Sequence, residues 1–332
     1  MSWDLIGHDL VTERLRRDIA HQRVRHAYLF TGPAGIGKRT LVAEFARALL
    51  CAAADPPCGQ CRHCMLALKG SHPDLLTVAP IVSGKKVLAA KILMDPLRQL
   101  NYDLTLKPVE AQRRVACLLR FDAANELQQN ILLKTLEEPP GQAVLLLTAE
   151  RADALLSTIV SRCEVVALRP LPQEVVASAL ITRWLAPAER AELLARLSQG
   201  RLGWAVRTHQ DDTALDARAR KLDDLAALLG GTRAVRFAYA ERLAKAGTVE
   251  RIQETLDLWL AYWRDVLLAA SGAGAPLANP DREADIRRLA ATVTPAAASQ
   301  VMQSLRRTAE LLEKNVNARL ALEVCLLDWP RL

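Results

Sequence analysis

The chain has 332 residues, a net charge of +7, and 51% hydrophobic, 24% charged and 4% aromatic side chains. That length exceeds one typical core and predicts two or three domains, and the composition is that of a Leu/Ala-rich, helix-leaning globular protein. No apolar run reaches the roughly 18 residues that a transmembrane helix needs, and the start Met1-Ser2-Trp3-Asp4 does not read as a signal peptide, so a cytoplasmic location is expected.

In chain order, His26–Phe30 reads as a short buried strand that runs into a Gly/Pro turn, and Thr40–Leu50 carries Leu41, Phe45, Ala48 and Leu49 at helical spacing. Between them, Gly32-Pro33-Ala34-Gly35-Ile36-Gly37-Lys38 matches the Walker A pattern G-x-x-x-x-G-K. Gly32, Gly35 and Gly37 let backbone N–H groups curl around a phosphate, the helix N-terminus adds positive dipole, and Lys38 reaches terminal phosphate oxygens. The next position normally carries the hydroxyl that ligates Mg²⁺, but here it is Arg39, with Thr40 one place late. One residue rotates a helical side chain by about 100°, so Thr40 does not replace it.

Directly after this helix, Cys51, Cys58, Cys61 and Cys64 fall within fourteen residues on a Pro/Gly-containing loop. In a chain without a secretion signal this spacing points to metal rather than disulfides, and four thiolates fill a tetrahedral Zn²⁺ site of structural type. Iron–sulfur ligation and free thiols are the rival readings. Cys117, Cys163 and Cys325 lie in apolar stretches and read as buried small hydrophobes.

Further strands are predicted at Leu75–Val78, Val115–Leu119, Val144–Leu147 and Val165–Leu168, mostly separated by helical segments, which implies an open, mostly parallel sheet. A Walker B acid should end one buried strand. The candidate, Val115–Leu119, instead runs into Arg120 and Phe121, with Asp122 as the nearest acid. Leu132–Glu138 reads as a helix stopped by Pro139-Pro140, and Ser161-Arg162-Cys163 leads into the last strand. The α/β pattern ends near Arg169-Pro170-Leu171-Pro172. Beyond it come helices over Glu174–Leu185 and Ala188–Leu197, a third from Gly203, and longer amphipathic helices from about Ala214. Breaks are expected at Gly230-Gly231, Gly247, Ser271–Pro280 and Thr294-Pro295. Trp259, Trp263 and Trp329 read as core residues of a helical bundle that packs on itself or on partner subunits.

Taken together, His26–Lys38, the four-cysteine insert, Ser71-His72-Pro73-Asp74, Leu132–Pro140, Ser161-Arg162-Cys163 and Asn315–Glu323 resemble, in order and spacing, the bacterial DNA polymerase III clamp loader family. The resemblance implies an α/β P-loop (AAA+, RecA-like) parallel-sheet domain at 1–169, a small helical lid at 170–210 and an all-α collar at 211–332. It also implies that Leu119-Arg120 occupy the Walker B Asp-Glu positions and that Gly203 stands where a lid sensor arginine is expected. With Arg39, these departures resemble the family's ATPase-fold member that does not itself hydrolyse ATP. Arg162 is then implied to act in trans as an arginine finger on a neighbouring motor subunit's ATP. The implied partners are the gamma/tau and delta subunits and, through the assembly, the sliding clamp and primer-template DNA. An active gamma/tau-like ATPase is the alternative. Lys38 and the glycines favour ATP or ADP binding and the lost metal ligand weighs against it, which leaves nucleotide binding open from sequence.

Overall fold

A computed structural model describes residues 3–81, 92–246, 248–314 and 316–330; the break expected at Gly247 lies outside them. The chain forms two compact units, one made of residues through Ala179 with Gly200–Trp204, the other of Leu180–Gln199 and the chain from Ala205 onward.

The first unit is built on a five-stranded parallel sheet in the order β2-β3-β4-β1-β5. Its elements run α1 (Asp9–Ala20), β1 (Ala27–Thr31), α2 (Lys38–Leu50), α3 (Arg62–Leu68), β2 (Leu75–Val78), α4 (Met94–Thr105) and β3 (Arg114–Leu118). They continue through α5 (Glu126–Asn130), α6 (Leu133–Glu137), β4 (Ala143–Ala149), α7 (Ser157–Val160) and β5 (Glu164–Ala167). The three central strands β3, β4 and β1 are buried along their whole length, as strands covered on both faces must be. One face packs Tyr28, Phe30 and Phe45 with Trp3, and the other packs Leu29, Leu118, Leu145 and Leu147 with Phe121 and Leu132. All five predicted strands form. β1, β3 and β5 are each displaced by one residue from the apolar runs, and β4 extends beyond its run at both ends, because pairing reaches to Thr31, back to Arg114 and Glu164, and over Ala143–Ala149.

The chain continues as α8 (Gln173–Trp184), α9 (Ala188–Ser198) and α10 (Leu202–Gln210). Then follow α11 (Thr213–Leu229), α12 (Arg233–Ala246), α13 (Val249–Ala270), α14 (Glu283–Ala290), α15 (Pro295–Glu313) and α16 (Ala318–Leu327). No strand occurs among the described residues of this half. The second unit's core centres on Trp259, Trp263 and Trp329, with Trp329 edge-on to both of the others at centroid distances of 5.1 and 6.0 Å. The helix ends there are fastened by Arg236, which is 1% exposed. Its guanidinium donates to the carbonyls of Leu228 and Leu229, which close α11, and of Leu326, Trp329 and Pro330, where α16 ends. The last carbonyls of a helix lack intrahelical partners and carry its negative dipole end, so a cation here satisfies two helix ends at once. None of the described helices is long and apolar enough to cross a membrane.

Candidate functional site

The phosphate loop follows β1, as a Walker loop must, and α2 begins at Lys38 itself. Gly32 has φ +143° and a Cβ there would stand 2.8 Å from the Leu168 carbonyl oxygen, so no other residue fits this turn. The loop is closed on itself. The Lys38 Nζ donates to the carbonyl oxygens of Gly32 and Pro33, the latter at 3.1 Å, and the side chain is almost fully buried. Burial pushes the Lys38 ammonium below the usual lysine range, against the upward pull of Glu150 and Asp122. The N–H of Gly203 donates to the Gly35 carbonyl at 2.8 Å, and a Cβ on Gly203 would meet that oxygen at 2.9 Å. A side chain at 203, arginine included, does not fit while this contact stands.

Arg39 carries no hydroxyl, and Thr40 is exposed. β3 ends at Leu118, and Arg120 adopts a left-handed conformation (φ 48°) with its N–H donated to the Thr148 Oγ1 at 2.7 Å. Asp122 lies in the short turn after it, off the end of the strand, and is one of the two acids whose charge pulls the Lys38 ammonium upward.

The four cysteines do come together. Their Sγ atoms all lie within 4.8 Å of one another, with Cys51–Cys61 at 3.9 Å and Cys58–Cys64 at 4.0 Å. Thiolates about 2.3 Å from a tetrahedral Zn²⁺ stand about 3.8 Å apart, so the donor set fits that ion. Backbone N–H groups already point at the sulfurs: Cys58 N–H to Cys51, Cys61 N–H to Cys58 and Cys64 N–H to Cys61, each at 3.4 Å. Such donors favour the thiolate, and with Gln60 and Cys61 on it the Cys58 thiol falls to about 6, whereas burial lifts Cys64 to about 12. A filled tetrahedron has no open position, so any ion held here is structural.

The insert is tied to the sheet by residues whose sequence signal was only the Ser71–Asp74 run. The Asp74 N–H donates to the His72 Nδ1 at 3.0 Å, which leaves the His72 proton on Nε2, donated to the His63 Nδ1 at 2.9 Å. Arg62 forms a two-pronged pair with Glu110, both contacts at 3.1 Å. Fully buried Asp74 accepts the N–H groups of Val109, Glu110 and Ala111 at 2.7, 2.8 and 2.9 Å. Burial alone would raise its carboxyl, but these donors and the nearby Arg114 hold it below the ordinary range. Its contribution is therefore complete above the free aspartate value of about 4 and is lost as pH falls through the lower folded value. Urea unfolding between pH 7 and 3 should show wild-type stability falling on that acid side. Asp74→Asn should be weaker at pH 7 by about 1–3 kcal/mol and flatter toward acid.

Arg162 follows α7 and precedes β5, at the sheet edge. Its Nη1 donates to the Thr158 carbonyl at 2.9 Å and its Nη2 to the Glu137 Oε1 at 2.7 Å. Glu137 closes α6, just ahead of the two prolines. The sequence singled out that helix without assigning Glu137 a part.

A parallel sheet in this strand order with a Walker-type loop after β1, a four-cysteine insert and a helical second half define an AAA+ type domain followed by a helical collar. The family model described as DNA polymerase III, delta subunit, matches residues 7–172, and the one described as DNA polymerase III, delta subunit, C terminal, matches 214–331. The chain belongs to this DNA polymerase III delta subunit family. It is 41% identical over 192 residues to the Pseudomonas aeruginosa DNA polymerase III subunit delta-prime, covering 55% of this chain and 56% of that one. It is 28% identical over 312 residues to the Bacillus subtilis delta-prime subunit, covering 93% and 92%. The Bacillus subtilis subunit tau is matched at 22% identity over 351 residues, 97% of this chain and 60% of that relative. The chain thus spans little more than half the length of the Pseudomonas relative.

Proposed function

We propose that the chain is the delta-prime-type subunit of a DNA polymerase III clamp loader. In this reading it is a non-hydrolysing AAA+ subunit that assembles with gamma/tau and delta partners and helps load the sliding clamp onto primer-template DNA. Its layout is the ATPase-type domain at 1–169, the lid at 170–210 and the collar at 211–332. Cys51, Cys58, Cys61 and Cys64 hold a structural Zn²⁺, and Gly32, Gly35, Gly37 and Lys38 are a degenerate phosphate loop. Arg162 acts in trans on the ATP of a neighbouring motor subunit.

The observation that carries this reading is the contrast between two cations. Lys38 is buried against its own loop's carbonyls, whereas Arg162 keeps about a third (34%) of its side chain exposed at the turn between α7 and β5. A guanidinium there would stabilise charge on a transferring phosphoryl group. The collar reading draws on α16, whose Leu320, Val324 and Leu327 form an exposed apolar stripe at helical spacing.

The test has two arms. Purified chain should show no ATP turnover above background, and titration with ATP, with and without Mg²⁺, should show at most weak binding. In a reconstituted clamp loader, Arg162→Ala should depress ATPase at the site it serves by on the order of 10³-fold, with the subunit's fold unchanged. Full activity of that mutant complex removes the finger assignment. Robust turnover by the isolated chain that Lys38→Ala abolishes would instead make it a motor subunit.

A further inference from the structure

We propose that Glu137 is a positioning residue for Arg162: it stows the guanidinium on its own subunit until a neighbour's terminal phosphate takes it over. This rests on the reading of Arg162 as a finger in trans, and adds how that finger is held before use.

A guanidinium is planar and presents its N–H donors in a fixed fork, for which carboxylates and phosphates are the matching acceptors. Arg162 already has such an acceptor. Nη2 donates to the Glu137 Oε1 at 2.7 Å, while Nη1 is fixed by the Thr158 carbonyl at 2.9 Å. The donors that would meet a phosphate are therefore partly committed to the subunit's own groups. The two side chains come from different elements, the end of α6 and the turn after α7, so the pairing is a product of the fold. Pro139-Pro140 prevents α6 from continuing, which fixes the last turn that carries Glu137. Glu138, the next residue, already leaves the helical conformation (φ −122°, ψ 72°).

The strength of the hold matters. The Arg162 and Glu137 side chains are 34% and 50% exposed, so solvent and salt screen the pair. Exposed pairs of this kind bias a local equilibrium by about two- to five-fold. That is enough to keep the arginine from wandering, and too little to resist a multiply charged phosphate. Glu137 thus acts as a weak competitor: it lowers the fraction of Arg162 free to engage, and yields when an ATP-loaded neighbour presents its phosphates.

The experiment uses the reconstituted clamp loader carrying wild-type, Glu137→Gln, Glu137→Asp or Arg162→Ala chains, alone and with Glu137→Gln combined with Arg162→Ala. Steady-state kcat and KM for ATP are measured at low and at raised salt. Glu137→Gln should raise kcat about two- to five-fold at low salt, with KM little changed, and the gap should close as salt screens the wild-type pair. Glu137→Asp, one methylene too short to reach, should behave like Glu137→Gln. The rise should vanish when Arg162→Ala is present. If Arg162→Ala depresses turnover while Glu137→Gln leaves kcat unchanged or lowers it, the stowing role is overturned and the finger stands. If Arg162→Ala leaves turnover intact, the finger reading itself falls.

Discussion

Arg236→Ala is expected to lower the unfolding temperature of the helical unit by roughly 10 °C, a loss of about 3–5 kcal/mol in a unit of this size. The guanidinium is buried and spreads its donors over five carbonyls, from Leu228, Leu229, Leu326, Trp329 and Pro330. Removing it strands those oxygens without water, and each orphaned polar group costs about 1–3 kcal/mol before relaxation. Arg236→Lys should recover only a small part, because an ammonium is a compact point charge and cannot span two helix ends. Calorimetry on the full chain checks this through the transition that the mutation moves. A shift below about 2 °C would mean that the carbonyls find other partners.

The second large effect concerns the four-thiolate insert. Purified chain should carry about one equivalent of zinc, and Cys64→Ser should lose it together with the order of residues 51–68. Within α3 only Cys64 is buried, so the seven-residue helix has almost no apolar anchor of its own. A helix of that length is not stable in water without outside help. The exposed, two-pronged Arg62–Glu110 pair and the single His63–His72 contact hold its polar side. Structural zinc contributes about 10–16 kcal/mol in isolated fingers, so losing even about 3 kcal/mol of net stabilisation would lower the sheet unit's transition by roughly 6–12 °C. Hydrogen exchange should show the amides of Cys58, Cys61 and Cys64 losing protection on Cys64→Ser or with a chelator, while β1, β3 and β4 stay far more protected than the insert. Zinc well below one equivalent across preparations would argue against the metal.

The sheet was readable because its central strands are buried on both faces, and burial is what an apolar run reports. The run misses where pairing starts. Arg114 looks like a boundary, yet it pairs with Ala143, and its guanidinium is satisfied inside by the Lys107 carbonyl. The four-cysteine cluster was readable because its members are close in sequence. What could not be read were contacts made only by folding: Gly203 on Gly35, Glu137 on Arg162, His63 on His72. Each joins segments whose separate signals are a glycine, a surface acid and a histidine, residues that occur everywhere. The trans role proposed for Arg162 rests on family resemblance, since an arginine before a strand carries no signature of its own.

The closed phosphate loop has a consequence for how such a chain can change. An arginine at 203 would first have to part the Gly203–Gly35 contact, where a Cβ already meets the carbonyl at 2.9 Å. Any side chain introduced at 203 is therefore resisted by backbone packing itself, and would have to displace the loop before it could act on anything bound there.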